Sequence, residues 1–265
     1  MTNREIAKKI IDTENIAAKS FSNFRETDYG MLFYDEANPD SNDANHAIIT
    51  KYDENTNFDR IAKEIKEFYL SKNLCPRIYS NLVLGQFEKA KDSLLNNGFE
   101  IETHDNYYLI HTAECKISEP YTLKIRHINQ NDDLSFIFKL FEVKEDRRGG
   151  ADRVYKTIEK QIKLSNFNMF VGYSENETPV TMAAVEYHNG IAFVDKVRTA
   201  EEYRGKGYAR QLTKFWVEWH YKNHKDCLIY LLYNNPIAGR IYREAGFTDV
   251  DWNFESWSAY IDHAE

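Results

Sequence analysis

Arg204-Gly205-Lys206-Gly207-Tyr208-Ala209 stands between two stretches of opposite periodicity. Upstream, Ile191-Ala192-Phe193-Val194-Asp195-Lys196-Val197-Arg198-Thr199 is apolar and β-branched, the make-up of a buried strand. Downstream, Leu212, Phe215, Trp216 and Trp219 recur at helical spacing. A glycine-rich turn from strand to helix aims several backbone N–H groups at one point, and the positive end of the helix dipole adds to them. Such a site suits a pyrophosphate, and Gly205 and Gly207 let it approach the backbone with no Cβ in the way. A Gly/Lys-rich surface turn would use the same residues, so the loop alone does not decide its role. The spacing is not the dinucleotide fingerprint G-x-G-x-x-G, because Arg210 stands at the third glycine. It is not a Walker loop either, which needs Gly-Lys-Ser/Thr.

A second block follows in order. The apolar run Cys227 to Tyr233 reads as another strand, and Asn234-Asn235-Pro236-Ile237-Ala238-Gly239-Arg240-Ile241-Tyr242-Arg243-Glu244-Ala245-Gly246-Phe247 continues from it. Asn235 is a good N-cap, and Pro236 occupies the first helical position, where its missing N–H costs nothing. Gly246 closes the helix and Phe247 packs back as the next strand begins. The two blocks, Arg-x-x-Gly-x-Ala and N-x-x-A-x-x-x-Y-x-x-x-G-F, resemble the GCN5-related N-acetyltransferase (GNAT) superfamily.

That resemblance implies an α/β fold with a mixed sheet and acetyl-CoA as acyl donor. It implies direct transfer of acetyl to a primary amine on a small molecule or peptide. The backbone of Val197 and Thr199, with Arg198 between them, would hold the pantetheine amides and polarise the thioester carbonyl. The backbone from Gly205 through Lys206, Gly207, Tyr208, Ala209 and Arg210 would take the pyrophosphate, with Arg204 and Lys206 adding charge. Asn235 would reach the pantetheine arm or do no more than cap its helix. Tyr242 falls where the family tyrosine faces the cofactor sulfur and would act as general acid; an aromatic packed beside Ile241 is the plainer role. For the general base the candidates are Asp195, placed by strand alternation on the face of Val197, and Glu186 on the preceding strand. Either is equally open to being a paired surface carboxylate, and ordered water does this work in some relatives.

Around the blocks, residues 120–265 read as one catalytic unit. Tyr121–Ile128 alternates as a strand, Asp132–Glu145 and Ala151–Leu164 as helices broken at Arg147-Arg148-Gly149-Gly150, and Asn168–Tyr173 with Pro179–His188 as a hairpin. Asp249–Trp252 and Trp257–Ile261 are expected to close its sheet. The acceptor would meet the loop Arg147–Gly150 and the terminal segment with Trp252, Phe254 and Trp257. Residues 1–115 echo the same order: strand His46–Lys51, helix Phe58–Leu70, strand Pro76–Ser80 and helix Phe87–Asn97, ending at Gly98-Phe99. A shift of about 148 residues sets Gly98-Phe99 on Gly246-Phe247 and Ile49 on Val197, with a gap at the intervening strand. Asn57 and Asp59 then fall opposite Gly205 and Gly207. A carboxylate is electrostatically wrong for a pyrophosphate, so this half is expected to be a degenerate acetyltransferase-like domain without cofactor. An unrelated small α/β domain would share these signals.

Composition narrows the partners. The chain has 265 residues, 42% hydrophobic, with a net charge of −8 and a pI of about 5.6. Residues 1–118 carry 14 basic and 20 acidic side chains, the rest 20 and 22. No basic face suits a nucleic acid, and the apolar runs are strand-length, so neither nucleic acid nor membrane is expected. Cys75, Cys115 and Cys227 are few and widely spaced, as in a cytoplasmic protein without disulfides or zinc. His220 and His224 stand four apart but lack a third ligand, so no metal is expected and a solvated helix end is the reading. Homodimerisation is left open. Competing readings are an acyltransferase with another donor, and a non-catalytic acyl-CoA sensor or interaction protein.

Overall fold

Two mixed sheets organise the chain, and each is centred on one parallel strand pair. The computed structural model describes residues 1–141 and 150–262. In chain order its elements begin with α1 (Asn3–Glu14), β1 (Asn23–Glu26), β2 (Gly30–Tyr34), β3 (His46–Ile49), α2 (Phe58–Leu70), β4 (Arg77–Tyr79), α3 (Gln86–Asn96), β5 (Glu100–Thr103) and β6 (Tyr107–His111). They continue with β7 (Lys124–Ile128), α4 (Phe136–Leu140), α5 (Gly150–Gln161), β8 (Phe167–Tyr173), β9 (Pro179–His188), β10 (Ile191–Thr199), α6 (Tyr208–His224), β11 (Leu228–Tyr233), α7 (Pro236–Glu244), β12 (Phe247–Asp249) and β13 (Trp257–Tyr260). The break expected at Arg147–Gly149, and with it that acceptor loop, lies outside the described residues.

Two compact units emerge, and neither is a contiguous half. The C-terminal unit is Asn106–Asp251 with Met1–Ile10; the N-terminal unit is Ile11–Asp105 with the chain from Trp252 onward. The C-terminal sheet runs β12-β6-β11-β10-β9-β8-β7 and the N-terminal sheet β1-β2-β3-β4-β13-β5. Thus β6 inserts between β11 and β12, while β13 inserts between β4 and β5. The expectation that Trp257–Ile261 closes the C-terminal sheet is corrected: the alternation of a strand says that it is half-buried, not which sheet receives it. Trp257 is accordingly core of the N-terminal unit, 2% exposed, and not a wall of an acceptor pocket; Trp252 is 42% exposed. The strand expected at Asp249–Trp252 lies slightly earlier, at Phe247–Asp249.

Each sheet is covered by helices with an apolar stripe. In the N-terminal unit Ile61, Ile65 and Tyr69 of α2 and Leu94 of α3 pack on Ala47, Ile78 and Trp257. In the C-terminal unit Leu212 and Trp216 of α6 and Tyr242 of α7 pack on Val194, Ile229 and Leu231. The other face is covered by α4 and α5, with Ile137, Leu140 and Ile158 against Met169, Met182 and Ala184. Trp216 is fully buried, and its truncation to Ala would cost about 3–5 kcal/mol.

Candidate active site

The strand that leads into the glycine loop is bent at Lys196. β10 and β11 pair in parallel only from Ile191–Leu228 to Val194–Leu231. Lys196 then takes the left-handed region with φ of 57°, and the register against β9 slips between Asp195 and Arg198. An inserted residue of this kind bends the strand and leaves its own main chain out of the ladder. The two strands part, and a cleft of about 300 Å³ opens between Phe193–Val197 on one side and Leu232–Asn235 with Ala238 and Tyr242 on the other. The bulge also corrects the alternation argument for Asp195. Val197 packs with Tyr242 toward the α6 and α7 core, whereas Asp195 pairs opposite Ala184, a residue of the α4 and α5 core. Both still line the cleft.

Past the bulge the chain reaches the loop. Gly205 and Gly207 have φ of 75° and 77°, the left-handed values that favour glycine, and a Cβ at either position would meet open space. Gly207 is the N-cap of α6, and no side chain caps that helix. The first-turn N–H groups of a 17-residue helix therefore face outward beside the glycines. The cations have distinct surroundings. Arg204 and Lys206 are exposed; the Arg204 guanidinium stands 3.8 Å from Glu201, and the Lys206 ammonium lies 4.9 Å over the Tyr203 ring. Arg210 is held by Glu244 and by Glu119 at 2.8 Å, so its side chain braces α6 rather than offering free charge. Arg198 donates from Nε to the Leu140 carbonyl at 2.6 Å and lies over Phe141, leaving its backbone as the part near the bulge. The Thr199 hydroxyl is 2.9 Å from that of Thr181.

On the opposite wall, Asn235 caps α7 by accepting from Ile237 N–H at 2.9 Å and also lines the cleft. Tyr242 is 6% exposed; burial, and secondarily the Asp195 charge, push its pKa up to about 12. The phenol is thus protonated throughout the ordinary pH range. Asp195 forms an ion pair with its neighbour Lys196. The structure brings Tyr242, Asp195, Val197 and Asn235 to one cleft. Glu186 does not line it: it is buried on β9, accepts from Gln161 Nε2 at 3.0 Å and has His188 Nε2 at 3.0 Å.

Residues 165–249 match the family model of the acetyltransferase (GNAT) domain. That match covers 85 of the 265 residues. Over most of its length the chain is similar in fold to solved GNAT structures, a tandem one among them: a GCN5-related N-acetyltransferase from Kribbella flavida superposes with a TM-score of 0.63 at 13% identity, over 98% of this chain and 96% of the other. A functionally unknown conserved protein from Staphylococcus epidermidis gives 0.60 at 16% identity, over 90% and 92%. A tandem GNAT protein from the clavulanic acid biosynthesis pathway gives 0.54 at 10% identity, over 83% and 76%. A search of the curated proteins finds no match.

Within this tandem GNAT fold the N-terminal unit repeats the parting strands but fills the gap. Its parallel pair spans only Ala47–Ile78 and Ile48–Tyr79. Beyond it, the fully buried Gln86 donates from Nε2 to the Ile49 carbonyl at 2.6 Å and accepts at Oε1 from Asn81 N–H at 3.0 Å. One side-chain amide so satisfies a main-chain group at the end of β3 and another just past β4. Glu255 accepts from the N–H groups of Gly85 and Phe87 at the start of α3, and Asn57 caps α2 through Arg60 N–H at 3.0 Å. In the GNAT domain the shift of 148 sets the exposed Asn234 where Gln86 stands.

Three features had no clear signal in sequence. Lys196 reads as an ordinary strand residue, yet it makes the bulge. Tyr233 lines the cleft and is held by the Arg243 guanidinium at 2.7 Å, by stacking on Tyr107 and by the close passage of Gly239. His220 is fully buried, not a solvated helix end: its Nδ1 meets the Tyr187 hydroxyl and its Nε2 the Cys227 carbonyl, each at 2.9 Å. Burial pushes its pKa down to about 4. Among the described residues no group of three or more acidic, His or Cys side chains is arranged to hold a metal ion, and no helix is long and apolar enough to cross a membrane.

Proposed function

We propose that the chain is an N-acetyltransferase that moves acetyl from acetyl-CoA to a primary amine by direct transfer in the cleft between β10 and β11. The observation that carries this reading is Tyr242, a buried and protonated phenol, in the same cleft as the bulge that frees the main chain of Lys196 and Val197. The residues present fit the donor. Open space over Gly205 and Gly207, beside an uncapped helix start, suits a pyrophosphate.

Acetyl-CoA supplies a thioester whose carbonyl carbon accepts the amine nitrogen and whose C–S bond breaks. Main-chain N–H groups at the bulge are suited to meet the negative charge that develops on the carbonyl oxygen. Tyr242 donates its phenolic proton toward the departing sulfur. Asp195 is the preferred acceptor for the amine proton, because it lines the cleft and Glu186 does not. Glu186 is assigned a supporting place through Gln161 and His188. The N-terminal unit is the degenerate domain, its cofactor position occupied by Gln86. The test is release of free thiol from acetyl-CoA on a panel of primary amines, compared between wild type and Tyr242→Phe. Amine-dependent release that the substitution suppresses supports the reading. No release with any amine counts against it.

A further inference from the structure

One wall of the cleft already carries the kind of group that the transfer needs as acceptor. Among the described residues lining it, Lys196 is the one with a primary amine. Its side chain is 14% exposed, and its ammonium is paired with the carboxylate of Asp195, which lines the same cleft. The Asp195 charge in turn reaches the Tyr242 phenol and adds to the rise in its pKa. Amine, carboxylate and phenol so border one space of about 300 Å³. The backbone explains why a lysine ends up there. Lys196 has φ of 57°, where the register against β9 slips, so its side chain leaves the alternation of β10. The main-chain groups freed by the bulge are its own and those of Val197. A flexible four-carbon stem lets Nζ fold over those same groups.

A thioester whose carbonyl is held by the main chain at the bulge therefore has an amine tethered one residue's length away. A free acceptor must bind and displace Lys196 from Asp195, whereas Lys196 is present at the high effective concentration of an intramolecular group. We propose that Lys196 is a self-acylation site: with no other amine in the cleft, its Nζ takes the acyl group of the bound acyl-CoA. The inference rests on the acyl-transfer reading of this cleft. The ammonium passes one proton to Asp195, and the neutral nitrogen attacks the thioester carbonyl carbon. The C–N bond forms, the C–S bond breaks, and the departing sulfur takes the phenolic proton of Tyr242. One of the two protons left on nitrogen restores the phenol, and Asp195 releases its own to solvent. The products are an acetamide at Lys196, free thiol and one proton.

The test is a time course of the full chain with acetyl-CoA and no added amine, read by intact mass and by peptide mapping. It uses wild type, Lys196→Arg and Gly207→Glu, with thiol release on the amine panel measured in parallel. The mostly buried Lys196 should gain acetyl at least tenfold faster than the exposed Lys63 and Lys124, at a rate per chain that does not depend on protein concentration. Gly207→Glu, which disables the donor site, should slow this at least tenfold. Lys196→Arg should abolish it, because an always-charged guanidinium is no nucleophile. Thiol release on added amines with Lys196 unmodified overturns the proposal and leaves the proposed function standing. Acetyl on Lys196 with no release on any added amine supports the proposal and sinks the amine-acceptor reading instead. Neither signal overturns both. Labelling no faster than at Lys63 and Lys124, or undiminished in Gly207→Glu, is uncatalysed acetylation and also overturns the proposal.

Discussion

Removing the Tyr242 hydroxyl separates its chemistry from its packing. The ring sits in the core with Val194, Leu212 and Phe247, so Tyr242→Phe keeps the apolar contacts and deletes only the phenol. At a pKa of about 12 the phenol lies roughly 3.5 units above a thiol near 8.5, so full transfer to a free thiolate is uphill by about 5 kcal/mol. The donor must act while the C–S bond is still breaking, which places its contribution at the low end of general-acid effects, about 10²-fold in kcat. That corresponds to about 2.7 kcal/mol. Initial rates of thiol release should fall by this factor with the acetyl-CoA Kd unchanged. The same shift predicts a stability signature. The folded pKa is raised above the unfolded value near 10, so the stabilisation is whole below pH 10 and is lost between about pH 10 and 12. The loss amounts to about 3 kcal/mol, and Tyr242→Phe should lack it. Denaturant melts of both proteins at pH 8 and pH 11 measure about half of that loss, roughly 1.4 kcal/mol. A kcat within twofold of wild type would remove Tyr242 from the mechanism, whatever the melts show.

Other substitutions probe the scaffold. Gly207→Glu places a carboxylate at the start of α6 and a side chain at φ of 77°; acetyl-CoA binding should weaken more than 100-fold by calorimetry, at a stability cost of about 1–2 kcal/mol. Gly239→Ala puts a Cβ 2.6 Å from Cζ and 2.9 Å from Cδ2 of Tyr233, whose hydroxyl is anchored by Arg243. A loss of about 1–3 kcal/mol is expected in urea melts, together with weaker acetyl-CoA binding because Tyr233 lines the cleft. Gln86→Leu strands the Ile49 carbonyl and the Asn81 N–H in the N-terminal unit. It should cost about 2–5 kcal/mol in the same melts while leaving the acetyl-CoA Kd unaltered.

The parts of this fold that were legible in sequence are those set by local rules. Asn235, Pro236 and Gly246 mark the ends of α7 through capping chemistry, and the apolar stripe of α6 follows from its 3.6-residue period. The repeat shift anticipated the order of β3, α2, β4 and α3 against β10, α6, β11 and α7. What stayed hidden depends on partners distant in the chain. Trp257–Ile261 reads as a strand, but its insertion into the N-terminal sheet, like that of Tyr107–His111 into the C-terminal one, is a matter of long-range pairing. Lys196 carries no glycine to announce a positive φ, so alternation was carried through a residue that breaks it. Gln86 precedes the helix expected from Phe87 and carries no signal of its own; only the parting of β3 and β4 shows what its amide is for.

The central claim is that one cleft per chain, in the GNAT domain, takes the acyl donor. Calorimetric titration of the purified full chain with acetyl-CoA tests it most directly. The account predicts micromolar binding with a stoichiometry of one, abolished by Gly207→Glu and unaffected by Gln86→Leu. Two sites per chain would contradict the assignment of the N-terminal unit, and a folded protein that binds no acetyl-CoA would contradict the claim itself.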